Sequence, residues 1–515
     1  MTWARLIRSI RLRKLCAAIF AALVVCAGPV LAEDVTFRSD DNAVVVTGRF
    51  VAFDGAVVTV ATPTGPLSFR ANGMECEGAG CPDLDDYVPN LRMVGAARIA
   101  DVLMPSLIDA YAREKGWTVR EDTSGFALSR QDGTISLEIA LNVAPAEAAF
   151  DLFVDQFADV LLSVRELTTD EVSLARARGL GRLDTARQAR ILALDALVPV
   201  TKASVGNLSI DMGALAEAFA GANATYSVVT SADIAAQMSG FEDRMMRPFG
   251  LSLTQDIQAF ETVEDVTDFV STTADRLALV PYGLTRNAQP LALKGACGLE
   301  ARAAFLPLKT EDYPLTFPMF LYLPQRERHP RIDAFLDWLR SPSAQLVIRR
   351  AGFVDQAAVP IPLADQGDRL ANAIVSAGVE VPLGELQRMI RVLAPQVRMS
   401  STFRFEPGST RLDGQSRSNV MQLAQAIRDG RFGNRQLMFV GFSDGRGPAD
   451  ANRDLSAARA DAVRRAVEAA LGSRLPNNVT LDIDAFGEAL PMACDDTIWG
   501  QQINRRVELW VSDAG

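Results

Sequence analysis

Phe439-Val-Gly-Phe-Ser-Asp-Gly-Arg-Gly447 is an apolar run that ends in a glycine-containing loop, and its reading decides the C-terminal fold. The run Gln436–Gly441 predicts a strand. After the loop, Val463, Val467, Ala470 and Leu471 recur at helical spacing and predict a helix over Ala449–Leu471. Working outward, Phe403 opens a strand, Gln415–Arg428 reads as a helix, and Val479–Ala485 and Arg506–Val511 read as strands. The order is βαβαββ, an α+β or mixed sandwich. Asp444 stands at a strand end, and Arg459 follows 15 residues later in a helix that returns over the same edge. A carboxylate and a guanidinium so placed suit a zwitterion, the Asp taking an ammonium and the Arg a carboxylate through paired hydrogen bonds.

More of the pattern lies around this pair. Asn452, Leu455-Ser456 and Arg459-Ala460 follow the loop, then Phe486-Gly487 with Pro491, then Asn504-Arg505-Arg506-Val507-Glu508. Together these residues resemble the OmpA-like peptidoglycan-binding domain over 403–513, and the domain is assigned 396–515. The resemblance implies that Asp444 takes the ammonium and Arg459 the carboxylate of diaminopimelate in the stem peptide. It also implies that Asn452, Asn504 and Arg505 line the site. Phe442-Ser443 is a small departure, where the family often has a polar or aromatic residue and then Thr. In isolation Asp444 would read as a loop cap and Arg459 as a surface ion pair contributing under ~1 kcal/mol. The complete motif in register favours the binding site.

Residues 361–395 hold Pro362, Gly367, Gly378, Pro382 and Gly384 between short helical pieces and read as a connector. Before it, over 87–360, strand-like pieces (Leu91–Val94, Ile135–Leu141, Ile191–Leu194, Leu277–Val280) alternate with helices such as Ile99–Lys115 and Arg331–Leu339. That alternation predicts an α/β domain with a largely parallel sheet. Val94-Gly-Ala-Ala-Arg98, Ser163-Val-Arg165, Ile191-Leu-Ala-Leu-Asp195 and Thr310-Glu-Asp-Tyr-Pro314 resemble a two-lobed periplasmic substrate-binding protein of the phosphate type. The resemblance implies an anion pocket from Gly95, Arg98, Ser163, Arg165 and Asp195. Ala96 and Ala97 stand where the family carries hydroxyls, and no Ser-Gly-Thr segment follows Asp195, so a changed or lost ligand stays open.

Residues 34–72 alternate apolar and polar positions, with Asp54-Gly55 and Thr64-Gly65-Pro66 at the turns, and predict a small antiparallel β unit, assigned 33–86 with its Cys loop. Residues 1–32 have a basic stretch (Arg5 to Lys14), an apolar run (Leu15 to Ala27) and Val30-Leu-Ala32 before Glu33, the layout of a cleavable signal peptide. Four cysteines remain after such a cut: Cys76, Cys81, Cys297 and Cys494. An even number in an oxidising compartment makes them disulfide candidates, with Cys76 and Cys81 able to close a short loop; four buried thiols are the alternative.

The 515 residues are 49 % hydrophobic and 22 % charged, as in a folded chain long enough for several cores. Net charge is −11, and without the five basic residues of the leader it is 47 − 63 = −16, which argues against nucleic acid as a partner. His329 is the single histidine, and no nucleophile elbow, metal-ligand cluster or phosphate-binding glycine loop occurs. No enzyme activity and no cofactor are therefore expected. The expected protein is multidomain α/β, periplasmic, and associated with peptidoglycan or the outer membrane. Its partners would be the diaminopimelate stem peptide, phosphate or another small anion, and an ABC transporter or outer-membrane protein. Two alternatives accompany this reading: a solute receptor for a phosphate-type ABC transporter, and a wall-bound scaffold whose binding module has lost its small ligand.

Overall fold

In the computed structural model, which describes residues 34–84, 87–123, 125–203, 208–223, 225–378, 380–406, 409–472, 475–476 and 478–513, the chain divides after Tyr87 into two units. The signal-peptide reading falls on 1–32, outside the described residues. In the first unit, period-two alternation produces a five-stranded antiparallel sheet. Its spatial order is Gly65–Arg70, Val57–Thr62, Val45–Phe53, Asp34–Ser39, Met74–Glu77. Val35, Phe37, Val58 and Val60 point to one face and form its small core. Asp54 Oδ1 accepts from the amides of Ala56 and Val57 at 2.9 and 2.7 Å, closing the Asp54-Gly55 turn, and Cys76 is bonded to Cys81.

The second unit begins with two α/β lobes that share one sheet. In lobe one, Val160–Ser163, Asn90–Gly95 and Ile135–Val143 run parallel, with the hairpin Thr118–Asp122/Gly125–Ser129 on the outer edge. In lobe two, Gln258–Phe260, Ser227–Ser231 and Arg276–Pro281 run parallel. Two strands join them. Ala189–Thr201 pairs antiparallel with Thr316–Tyr322 along its first half and with Arg276–Pro281 along its second. The sheet is therefore mixed rather than largely parallel, because the chain crosses between lobes and returns in the opposite direction. Every residue of Thr316–Tyr322 is buried, which accounts for an apolar run without alternation. The helix expected from Ile99 starts as a π-helical turn, Arg98–Leu103, continues as Met104–Lys115 and stops at Gly116 with φ +70°.

The C-terminal domain has a five-stranded sheet in the order Pro360–Ile361, Val397–Arg404, Arg506–Asp513, Arg435–Phe442, Val479–Ala485. Arg435–Phe442 and Val479–Ala485 are parallel, and the remaining pairs are antiparallel. Leu437 and Phe439 face the helices Gly414–Arg428 and Ala449–Leu471, together with Val420, Val463 and Val467. Val440, Phe442 and Trp510 face the other way, onto Ala373, Leu386, Met389 and Leu393. The segment read as a connector is thus a helical layer, Gly367–Ser376 and Leu383–Leu393, over the second face of this sheet. A short helix absent from the sequence reading, Ile498–Asn504, precedes the last strand.

Candidate functional site

Asp444 follows the strand Arg435–Phe442, and the helix Ala449–Leu471 is drawn against that strand at one glycine. A Cβ on Gly441 would collide with the Ser456 carbonyl, so only glycine allows this approach. Ser456 Oγ accepts from Gly487 N at 3.2 Å, and Ser443 N donates to Gly487 O at 2.8 Å. Gly441, Ser456 and Gly487 therefore form the node that fixes the loop bearing Asp444. Asn452, Ser456, Arg459, Val463 and Val467 share the buried stripe of the helix, and that stripe carries polar groups where it meets the loop.

Arg505 Nε donates to Asp444 Oδ2 at 2.6 Å, and its Nη2 also approaches that oxygen. Arg459, 6 % exposed, lies with its guanidinium over the Phe405 ring, 5.6 Å from the centroid. Among the described residues, Arg459 Nε and Nη1 have no hydrogen-bond partner. Burial first, and then the neighbouring Arg505, lowers its proton affinity, while Asp444 opposes them. An arginine remains charged under such conditions, so two buried donors are left without an acceptor among the described residues. The sequence reading placed Asp444, Arg459 and Arg505 together, and the structure brings them together.

Asn452 and Asn504 are engaged differently. Asn452 Nδ2 donates to Glu488 Oε2 at 2.8 Å. Asn504 is 1 % exposed. Its Oδ1 accepts from the amides of Met492 and Ala493, and its Nδ2 donates to Ala493 O and Asp495 Oδ1. It holds the 492–495 loop in place instead of facing a ligand. Glu488 was not singled out in the sequence, and only its closeness to the Phe486-Gly487 element could have pointed to it. Burial, with Glu380, Asp495 and Asp444 near it, lifts the Glu488 carboxyl above its ordinary value, and the Asn452 hydrogen bond works against the rise. Glu488 also borders a cleft of about 380 Å³ between the helical layer and the start of the long helix, with Glu380, Pro382, Glu385, Asp450 and Arg453 on its walls.

In the two-lobed part, Gly95 (φ +152°) has the Leu162 carbonyl pressed where a Cβ would stand. Arg98 is 4 % exposed, with Nη2 3.4 Å from Asp195 Oδ2 and its guanidinium 4.8 Å from the centre of the Phe353 ring. Asp195 sits where Ala189–Thr201 passes between the lobes; burial raises its carboxyl and Arg98 opposes the rise. Ser163 Oγ donates to Arg165 O at 2.8 Å, and Arg165 makes a two-pronged pair with Glu171 at 2.8 and 2.6 Å. Arg98 and Asp195 are thus brought together, and Ser163 and Arg165 are held in one loop with Glu171.

Residues 404–505 match the family model described as the OmpA family, so the C-terminal domain is an OmpA-family domain. An ABC-type phosphate transport receptor from Vibrio cholerae is a structural match with 15 % identity, covering 51 % of this chain and 99 % of that chain, with a TM-score of 0.39. The peptidoglycan-associated lipoprotein from Burkholderia pseudomallei matches with 26 % identity over 22 % of this chain and 89 % of that chain, with a TM-score of 0.19. The periplasmic domain of MotB from Helicobacter pylori matches with 20 % identity over 24 % of this chain and 76 % of that chain, with a TM-score of 0.20. No curated protein matches the chain.

Proposed function

We propose that this is a cell-envelope protein that binds peptidoglycan non-covalently, with Asp444 receiving the ammonium and Arg459 the carboxylate of a diaminopimelate stem peptide. The observation that carries this reading is the buried Arg459 guanidinium, whose Nε and Nη1 lack partners among the described residues and which lies near Asp444 inside an OmpA-family domain. Exterior carboxylate oxygens would supply the acceptors those donors lack, through short charge-assisted hydrogen bonds. The signal-peptide-like layout of residues 1–32 supports export to the periplasm, and the acidic balance supports a partner other than nucleic acid. Sedimentation with purified sacculi tests the proposal: wild type pellets with them, and an Asp444→Ala, Arg459→Ala variant stays in the supernatant. Equal sedimentation of the two would sink it.

For the two-lobed part the better reading is a wall-bound scaffold, because Arg165 is already paired with Glu171 and Arg98 with Asp195. A receptor for phosphate or another small oxyanion, delivering to an ABC transporter, is the second reading. One observation favours it: Arg98 Nε is buried and without a partner among the described residues. Calorimetry with inorganic phosphate separates them. Heat seen in wild type and lost in Arg98→Met supports the receptor, and no heat at millimolar phosphate supports the scaffold.

A further inference from the structure

Residues 494–496 are three consecutive positions with two different attachments. Cys494 is bonded to Cys297, and Asp496 Oδ2 accepts from Ala296 N at 2.9 Å. Both partners lie in the turn 295–299 of lobe two, between the short strands Ala292–Lys294 and Glu300–Ala301. The approach is close enough that a Cβ on Gly295 would collide with the Cys494 side chain. Asp495, between them, faces the other way. Its Oδ2 accepts from Gly445 N at 2.7 Å, its Oδ1 from Asn504 Nδ2 at 2.9 Å, and its carbonyl from Gln501 Nε2 at 2.9 Å. Gln501 Oε1 in turn accepts from Arg505 Nη2 at 3.1 Å, and Arg505 Nε donates to Asp444. A ring therefore closes through Asp444, Arg505, Gln501, Asp495 and back to Gly445, the chain neighbour of Asp444.

We infer that lobe two is a working part of the wall-binding site: its 295–299 turn fixes Cys494 and Asp496, and so sets Asp495 as the positioning residue for Asp444 and Arg505. This inference rests on the peptidoglycan reading of that site. The OmpA-family match covers 404–505, so the turn that supplies the anchor lies outside the matched domain and couples it to the rest of this chain. Both flanks of Asp495 are held, one covalently and one by a backbone amide. Releasing them frees the carboxylate to rotate away from Gly445, and a misplaced charged group loses much of its value to a ligand.

The test uses the full mature protein in a Cys76→Ser, Cys81→Ser background, so that one disulfide responds to reductant. The probe is a soluble muropeptide carrying diaminopimelate. Reduction, or Cys297→Ser with Cys494→Ser, is expected to weaken muropeptide binding about tenfold, a typical coupling between sites. The Gly445 amide and Arg505 Nε–H resonances should shift at the same time. Ala296→Pro removes the second anchor without touching the disulfide, and a loss of about fivefold is expected, the lower end of such couplings. Asp495→Asn should move the same two resonances while the unfolding midpoint holds, and Asp495→Glu should restore part of the affinity. If the oxidised reference binds and neither affinity nor resonances change on reduction, the inference is overturned and the wall-binding reading stands. If the reference does not bind, that reading fails, and the two resonances alone decide the positioning: a shift upholds it and no shift ends it.

Discussion

Arg404 Nη2 stands 3.0 Å from Asp312 Oδ1 in an ion pair buried on both sides. The pair joins the first strand of the OmpA-family domain to the segment leading into the crossing strand Thr316–Tyr322. Arg398 Nη2 reaches the other carboxylate oxygen at 3.3 Å, and Thr310 Oγ1 donates to it at 2.7 Å. Burial opposes the Asp312 charge, and Arg398 and Arg404 outweigh it, holding the carboxyl below the usual range. The two modules are therefore fused by a desolvated network of ion pairs and not by a flexible tether.

Removing that carboxylate leaves two guanidinium groups buried with less compensation. Asp312→Ala should lower stability by about 3–5 kcal/mol, the usual cost of breaking a buried pair. Urea unfolding of the full protein measures it. A triple variant, Asp312→Leu with Arg398→Met and Arg404→Met, should recover most of the loss, because no charge is then left without a partner. An Asp312→Ala protein as stable as wild type would show that the contact contributes nothing net.

Arg459 is expected to trade stability for binding. Its buried, unpartnered donors cost about 1–3 kcal/mol in the folded chain. Arg459→Met keeps the length and the packing over Phe405 and removes that cost, so its unfolding midpoint in urea should rise. Muropeptide affinity should fall about ten- to a hundredfold, the value of charge-assisted hydrogen bonds of roughly 1.5–3 kcal/mol. A variant that is less stable than wild type would mean the guanidinium already has compensation within the fold.

The C-terminal elements were legible because strand and helix periods alternate cleanly there and the loops carry Gly, Asp and Pro. Ala449–Leu471 and Val479–Ala485 run as the pattern predicts. Side-chain roles within the motif were less legible. Arg506 and Glu508 read only as members of the motif Asn504-Arg505-Arg506-Val507-Glu508, and both are fully buried, with Arg506 Nε 2.7 Å from Glu508 Oε1 and Trp510 Nε1 donating to Glu508 at 3.2 Å. Periodicity states that a position faces inward, and says nothing about which distant charge meets it. Cys297 with Cys494, Asp312 with Arg404 and Asp195 with Arg98 are pairings of that kind, separated by about one hundred residues or more.

Glu311 sets a pH dependence at the same junction. Burial first, with Asp413 and Asp312 adding to it and Arg404 and Arg244 opposing, pushes its carboxyl from 4.5 up to about 8. Folding then takes up a proton between those two values. The stability that protonated Glu311 allows is complete below pH 4.5 and declines as pH rises through 8, above which it stays constant. Glu311→Gln mimics the protonated form at every pH. Its advantage over wild type should be near zero at pH 4.5, grow through pH 6 and 7, and level off above pH 8. Urea midpoints of the two proteins across that range check it; a constant difference would place the proton elsewhere.

The OmpA-family domain also touches both lobes, and this bears on how the two-lobed part moves. Glu166, in the loop after Val160–Ser163 of lobe one, accepts from Gly414 N at 3.1 Å and pairs with Arg417. Asp312 holds the crossing region, and Cys297 holds lobe two. Rotation of one lobe against the other would have to break at least one of these three attachments, of which one is covalent and one is a buried ion pair. Spin labels at the exposed positions Asp109 in lobe one and Glu217 in lobe two should therefore report one narrow distance, unchanged by millimolar phosphate. Glu166→Ala combined with Cys297→Ser releases two of the three points, and the distribution should broaden or shift to longer distances. A wild-type distribution that is already broad would mean that the lobes move independently of the domain attached to them, and the brace would be no obstacle to hinge motion.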